Sequence, residues 1–589
     1  MSDIEVGAVK ATLAISLSNM FQNCPLENIK EGAFESIASS GNGTFTRMFS
    51  GCKFYSAPTK LTLNGKNNYV YANLLENNKN LQYVGEEFFN NLSILKNLDR
   101  LFTYTFSGCT SLQSVSIPYG NDKANRSNLF KNTFNGCTSL NRIEVKFTSW
   151  TYIDTKGVEQ QITPNWLTNV SPTGTFICPK ELADATDGYY DEEGNFVEGV
   201  GRGDSTVPEG WTIDVPIIDA RDGDTNAMAL MAVISQQTHA DGITRWVKDP
   251  SVMMKSEAEK VESIGTVFRY NKSIKNFEAL KYFTKITSIP DNAFYGCSYL
   301  TKISIPIQVT HLGTASFGYS PQLGKIPSHI TTFGNYPFQY STRTSIDISE
   351  IKVSSTGNIF QYMSRLNKIE IPNQIKEISD SAFMGCSALT SFHVHKDITK
   401  IGIRPFLNTN GSVKSITVAD DNPIYDSRED CNAIIETATN TLIAGCAKTI
   451  IPDGIKEIRE GALQNVGLEQ LTIPSSVIKI GGFCFDGYKG TYIDFPDTIV
   501  SNGPQIISNA PNLQEAVVGV NIKNIQGYSF YKCPNLTKLT LKAKSVVIAQ
   551  NTSLTNTNAN LVVYVPSELI TAYQEDSFWS KFNIQAIPQ

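Results

Sequence analysis

The chain has 589 residues, 41% of them hydrophobic and 18% charged, with a formal net charge of −6. That balance argues against nucleic-acid binding, which needs a basic face, and no run of 18 apolar residues is present to cross a membrane as a helix. The length exceeds one ordinary hydrophobic core, whereas a solenoid grows by adding units.

The N-terminal stretch MSDIEVGAVKATLAISLSNMF opens with acidic residues, and Ser16, Ser18 and Asn19 interrupt its apolar part. It has neither the basic start nor the clean apolar core of a secretory signal. Residues 1–25 are therefore expected to be an N-terminal cap or attachment segment. The protein is expected to reach the outside without secretion, as a virion component released by lysis does. Residues 26–150 form a first repeat block, with YTFSGCTSLQSVSIP from Tyr104 and NTFNGCTSLNRIEV from Asn132. Residues 151–215 read as a capping, irregular segment, in which Trp166, Phe176 and Trp211 cover the open end of that block. Residues 216–262 lose the period and form a connector, helical from Thr225 to His239. The second block spans 263–565, with NAFYGCSYLTKISIP from Asn292, SAFMGCSALTSFHV from Ser381 and a decayed SFYKCPNLTKLTL from Ser529. An insert at 420–450 interrupts it, and 566–589 is expected to be its C-terminal cap.

The aromatics set the period: Phe294, Phe317, Phe338, Phe360, Phe383 and Phe406 are separated by 23, 21, 22, 23 and 23 residues. This is the leucine-rich-repeat range, in which each unit lends one strand to a long parallel sheet. Alternation turns Leu300, Ile303 and Ile305 inward, as it does Leu366, Ile369 and Ile371, and Leu536, Leu539 and Leu541. Ser304, Glu370 and Thr540 then face outward. Pro306, Pro372 and Pro474 end the ladder because they lack an N–H. The aromatic fills the far side of the coil and Gly makes the bend before the next strand. The predicted fold class is an α/β-type repeat solenoid, a leucine-rich-repeat parallel β-sheet array of 21–23-residue repeats, strand-rich with little helix and in two blocks. About 12 units in the second block give a length of about 60 Å at the spacing of parallel strands. Cys52, Cys109, Cys137, Cys297, Cys386 and Cys533 share one repeat position, as small apolar side chains that bury well. Eleven cysteines, an odd number, and no CxxC favour reduced thiols over disulfides or a metal.

The phrases IPDGIKEIREGAL from Ile451, TIPSSVIKIGGFCF from Thr472, YDSREDCNAIIETATNTLIAGC from Tyr425 and VYVPSELITAYQEDSFW from Val563 resemble the BspA-like leucine-rich repeats. The resemblance covers most of 263–589 and is more diverged over 26–150. This family occurs in surface proteins of anaerobic bacteria, in some protozoa and in some gut phages. Endings similar to the NWL…GTF…PEGWT of this chain occur among its phage tail members. The resemblance implies non-enzymatic protein or glycan binding, with no cofactor. The expected function is that of a virion tail or tail-fibre component binding a host-surface receptor. The alternative is a bacterial cell-surface adhesin. The implied partners are a host cell-surface protein or glycan, together with other virion proteins if the chain is phage-derived. Homo-oligomer formation stays open.

The expected ligand-binding face comprises Lys302, Ser304, Lys368, Glu370, His393 and His395. His393 and His395 stand at i and i+2 of one strand, so alternation sends both outward. A solvent-facing pair is preferred to a metal site because no third ligand accompanies them. Asp184, Asp187, Asp191, Glu192 and Glu193 miss the EF-hand spacing and read as a solvated loop. Arg202-Gly203-Asp204 is a three-residue match of the kind that arises by chance. Gly199, Gly201 and Gly203 are not spaced as a dinucleotide loop. No P-loop, HExxH or GxSxG is present, and nothing joins a nucleophile to a base, so no catalysis is expected. Within the insert, two apolar runs flank Thr437–Asn440 as a hairpin. A turn centred between Ala438 and Thr439 sets Ile435 opposite Leu442, Ile434 opposite Ile443 and Cys431 opposite Cys446. The two cysteines are expected to be reduced neighbours.

Overall fold

A computed structural model describes residues 17–29, 45–57, 71–90, 100–118, 127–190, 196–321 and 325–588, with short strands at Asp3–Ile4, Ala38–Ser39 and Asn64–Gly65 besides. Most of the N-terminal segment, several stretches of the first block and the acidic run Asp191–Glu193 lie outside the described residues. The chain divides into two compact units, 1–221 with 251–257 and 222–250 with 258–589. The segment read as a connector is thus shared between them: Pro216–Asp219 pairs antiparallel with Val252–Met254 in the first unit, while 222–250 belongs to the second.

In the first unit, Tyr83–Val84, Ser114–Ile117, Arg142–Val145, Gly174–Ile177 and Trp211–Asp214 form a parallel sheet in chain order. Val115, Ile117, Ile143 and Val145 point inward and are buried. Behind them the rings of successive coils stack face to face, Phe102 on Phe130 at 5.4 Å and Phe106 on Phe134 at 5.6 Å. Trp166 is fully buried against Phe130 and Phe134, both at 6.0 Å, and its indole N–H donates to the Thr206 carbonyl. The segment 151–215 is less irregular than its composition suggested. It supplies the last two strands of the sheet, so that backbone pairing as well as aromatic packing covers the end of the stack.

The second unit repeats one coil. A main strand carries the Leu-x-x-Ile-x-Ile pattern, a short second strand follows a turn, and a tight corner holds the aromatic. The aromatics Phe294, Phe317, Phe338, Phe360, Phe383 and Phe406 are all buried and stack on their neighbours, Phe360 on Phe383 at 5.5 Å. The cysteine that recurs at one position of the coil serves as more than filler. Cys52, Cys137, Cys297 and Cys386 each donate an S–H to the carbonyl of the aromatic in the preceding coil, Phe21, Phe106, Phe268 and Phe360, at 3.0–3.1 Å. Burial pushes the Cys297 and Cys386 thiols up to about 12. Four-residue main strands run through Ser391–Val394 and Ser415–Val418, and through Tyr492–Phe495, Glu515–Val518, Lys538–Leu541, Val562–Val565 and Asn583–Ala586. Thr540 was expected outside, yet it is buried. It is flanked in register by Val517 and Tyr564, which cover the small hydroxyl side chain.

Both ends of the second unit are closed. A helix at Thr225–Ile234, shorter than the expected 225–239, is capped by Asp224, whose carboxylate accepts from the N–H groups of Asn226 and Ala227. Asn226 in turn accepts from the N–H groups of Lys275 and Asn276 and donates to the Asn276 carbonyl, occupying the edge of the first strand as a further rung would. At the other end Val547 donates its N–H to the Tyr573 hydroxyl, and the Trp579 indole donates to the Val547 carbonyl. The insert is a hairpin, Ala433–Glu436 against Thr441–Gly445, and its second strand pairs parallel with Glu457–Ile458, so it continues the ladder of short strands. Ile435 faces Leu442 as expected, but Ile434 faces Ala444 rather than Ile443. A bulge between these pairs adds one residue to the second strand. Pairing ends at Ala433 and Gly445, so Cys431 and Cys446 lie beyond the ladder as buried thiols.

Candidate functional site

Because the repeat positions are buried, chemical variety is left to the outer strand positions and to the corners. On the strands, opposite charges sit directly across from each other: Glu377 with Lys400 at 2.9 Å, Glu457 with Lys479 at 2.8 Å and Glu515 with Lys538 at 2.8 Å. Exposed pairs of this kind pin register more than they stabilise. Lys368 and Glu370, i and i+2 on one face, form a further exposed pair at 2.7 Å. That contact holds Glu370 below the usual carboxylate range and lifts Lys368. A shallow groove of about 520 Å³ lies there, lined by Asp347, Ser349, Lys368, Glu370 and Pro372 among others.

The structure does not gather the six residues of the expected face. Lys302 is exposed and Ser304 half-buried. They are separated from Lys368 by three strand steps, about 14 Å at parallel-strand spacing. His393 is exposed, its Nδ1 bonded to the Thr417 hydroxyl at 2.8 Å on the paired strand. His395 departs from the expectation. The strand ends at Val394, the chain turns, and the imidazole is buried with Nδ1 accepting from the Asp397 N–H. Burial pushes it below the usual histidine range. The two histidines therefore do not share a face. The acidic stretch is corrected too: Asp184 and Asp187 lie on a helix, Lys180–Asp187, and not in a loop. Asp184 pairs with Lys180, while Asp187 takes both guanidinium arms of Arg202 at 2.6–2.7 Å. With Asp204 accepting from Thr168, both ends of the Arg-Gly-Asp tripeptide are engaged internally.

A second surface lies at the corners and was missed in the sequence. The rings of Tyr270, Tyr295, Tyr319, Tyr340 and Tyr362 touch in succession across five consecutive coils, at centroid steps of 5.4, 5.3, 4.8 and 5.8 Å. Tyr270, Tyr319 and Tyr340 are exposed at 57, 44 and 39%. The Arg269 guanidinium lies 5.0 Å from the Tyr270 ring and 5.4 Å from the Tyr295 ring. The signal was a Phe-x-Tyr spacing at 268–270, 317–319, 338–340 and 360–362, where most other Phe-bearing coils have Phe-x-Gly or Phe-x-Asn.

The family described as BspA type leucine rich repeat region, in six copies, matches residues 262–358, 322–427 and 444–584, together more than half of the chain. Solved structures similar to it include the pneumococcal vaccine antigen PcpA, at 17% identity over 52% of this chain and 78% of that one, TM-score 0.37. A leucine-rich repeat protein of Eubacterium ventriosum is 20% identical over 48% of this chain and 70% of its own, TM-score 0.36. A leucine rich cell surface protein of Faecalibacterium prausnitzii is 19% identical over 58% and 86%, TM-score 0.35. A comparison with curated proteins finds no match. The repeat match, with its buried aromatic, cysteine and aliphatic rungs, places this chain in the BspA-type leucine-rich repeat family.

Proposed function

We propose that the protein is a non-enzymatic attachment module that engages a host cell-surface protein or glycan through its exposed repeat surface. The observation that supports this is the division of labour in the coil. Period-defining residues are buried, and the side chains that vary from coil to coil are left exposed on the outer strand positions and the corners, the arrangement solenoids use to bind extended partners. The preferred setting is a phage tail, where the chain would be part of the host-recognition apparatus alongside other virion proteins. A bacterial cell-surface adhesin is the second reading, supported by the repeat family to which the chain belongs.

Saturable binding of the labelled full-length chain to cells, measured by flow cytometry, tests attachment. Charge reversal at Lys302 and Lys368 together is expected to weaken it. Exchanging Lys368 and Glu370 is a poorer test, because it rebuilds their ion pair in reverse. Absence of saturable binding to any cell type would sink the attachment reading. Immunogold labelling of purified phage particles against whole bacterial cells separates the two settings.

A further inference from the structure

The position two residues after the corner aromatic, or after the Leu or Ile that replaces it at 463, 507 and 554, adopts a left-handed backbone in coil after coil. Most of the second unit fills it with residues suited to that geometry: Gly296, Gly385 and Gly487, at φ from 74° to 76°, and Asn408, Asn465, Asn509 and Asn556, at φ from 47° to 59°. Lys532 is an exception. Tyr270, Tyr319, Tyr340 and Tyr362 are the others, at φ 60°, 53°, 55° and 61°, and they fall in neighbouring coils. A bulky side chain in that region is a strained choice, and such strain persists where the surroundings or a function impose it. The coil that has Gly296 instead brings Tyr295 into the same row, and Gly296 leaves room for the Tyr270 ring, 2.6 Å from where a Cβ would lie. The same coil is built elsewhere without any of these rings.

The row has a chemical character of its own. Segments 268–272, 292–297, 315–320, 336–343 and 358–365 contain Arg269, Lys272, Arg343 and Arg365 but no carboxylate, although Asp and Glu outnumber Lys and Arg by 56 to 50 in the chain. Aromatic rings with interspersed cations suit a partner that offers apolar faces and negative charge together. The step along the row narrows the choice. An extended peptide repeats a face every ~6.6 Å and a polyproline helix every ~9 Å, so each falls out of step with rungs 4.8–5.8 Å apart. In an extended polysaccharide one pyranose with its glycosidic oxygen spans about one such rung. Its C–H faces and carboxylates match the rings and guanidinium groups.

We propose that the tyrosine row from Tyr270 to Tyr362, with Arg269 at its end, is a docking track for an acidic polysaccharide chain. This deepens the attachment reading and rests on it. The test is affinity electrophoresis of the full-length chain in gels containing polygalacturonate, with dextran as the neutral control and polyglutamate as a soluble competitor. The chain is itself acidic, so bulk charge opposes retardation. Polygalacturonate is expected to retard it and dextran is not. The combined Tyr270→Asn, Tyr319→Asn, Tyr340→Asn and Tyr362→Asn variant should bind at least about thirtyfold more weakly, as when aromatic anchors are removed, with an unchanged or higher Tm. Arg269→Gln alone keeps the rings and should weaken binding about tenfold. No retardation of the native chain, or equal retardation of the variants, overturns the proposal. A fall in Tm with retardation intact makes the row a stability device and also overturns it. Competition by polyglutamate as effective as that by soluble polygalacturonate assigns the track to acidic peptide instead. Undiminished binding of the fourfold variant to cells rejects the track while leaving the attachment reading in place.

Discussion

The two halves of the second unit build the same coil by different means. From 381 onward, most main strands reach four residues and pair along their length, and the corners are held by Gly or Asn in most coils. From 263 to 365 pairing is sparser: two-residue strands such as Lys302–Ile303, and single bridges such as Lys325 with Asp347. There the tyrosine row runs along the outside of the corners while phenylalanines stack within. The contrast teaches that the coil is specified by its buried rungs. Backbone pairing and corner composition are free to vary around them, and a row of strained tyrosines is then a local choice with a local reason.

The strongest test of that view removes a buried rung. Phe383 is fully buried and stacks on Phe360 at 5.5 Å and Phe406 at 5.9 Å. Phe383→Ala is expected to cost about 3–5 kcal/mol in urea titrations. Hydrogen exchange should locate the damage in adjacent coils, since repeats couple to their neighbours. Protection lost evenly over the whole unit would contradict the local picture.

Next in size is a polar substitute for stacking in the strand-rich half. Asp486 is buried and accepts from Gln464, Asn465 and Asn509 at 2.7–3.0 Å, and from Ser508. It ties three neighbouring corners together where the tyrosine half uses rings. Asp486→Ala leaves the buried Gln464 and Ser508 donors without this acceptor and is expected to cost about 2–4 kcal/mol. A negligible effect would mean that solvent reaches this corner.

The cysteine rung is common to both halves and gives a pH test. Burial raises Cys297 and Cys386 from 9.0 to about 12, so the folded chain keeps protons that the unfolded chain releases. Their contribution is fully present below pH 9 and is lost as pH rises from 9 towards 12. Between pH 9 and 10 a Cys386→Ala variant should lose about 1 kcal/mol less stability than the native chain. Native thiols should also resist a disulfide reagent until the chain unfolds. Equal alkaline slopes would show that the thiol ionises in place.

The smallest expected effect concerns the corner itself. Tyr340→Asn exchanges a strained ring for a side chain suited to left-handed geometry, so the loss of one stacking contact and the relief of strain offset each other within about 1 kcal/mol. A larger loss of stability would show that the rings hold that half together.

Much of the coil was legible because its rungs recur with the chain. The spacing of the phenylalanines, the Leu-x-x-Ile-x-Ile strand and the cysteine position depend on which residues each coil must bury, so they repeat at 21–23 residues. Trp166 could likewise be assigned to the end of the first block, since so large an apolar side chain in a polar stretch has to be covered. Other features depend on what a neighbouring coil places alongside, and periodicity does not carry that information. Thr540 is buried because Val517 and Tyr564 flank it, and His395 turns inward because its strand stops at Val394. Asp184 is helical and Ile434 slips by one partner at a bulge. The tyrosines were visible as residues, but it took the stacking of coils at 4.8–5.8 Å to make them one surface. Repetition along the chain determines the unit, and contact between units decides which of its side chains meet.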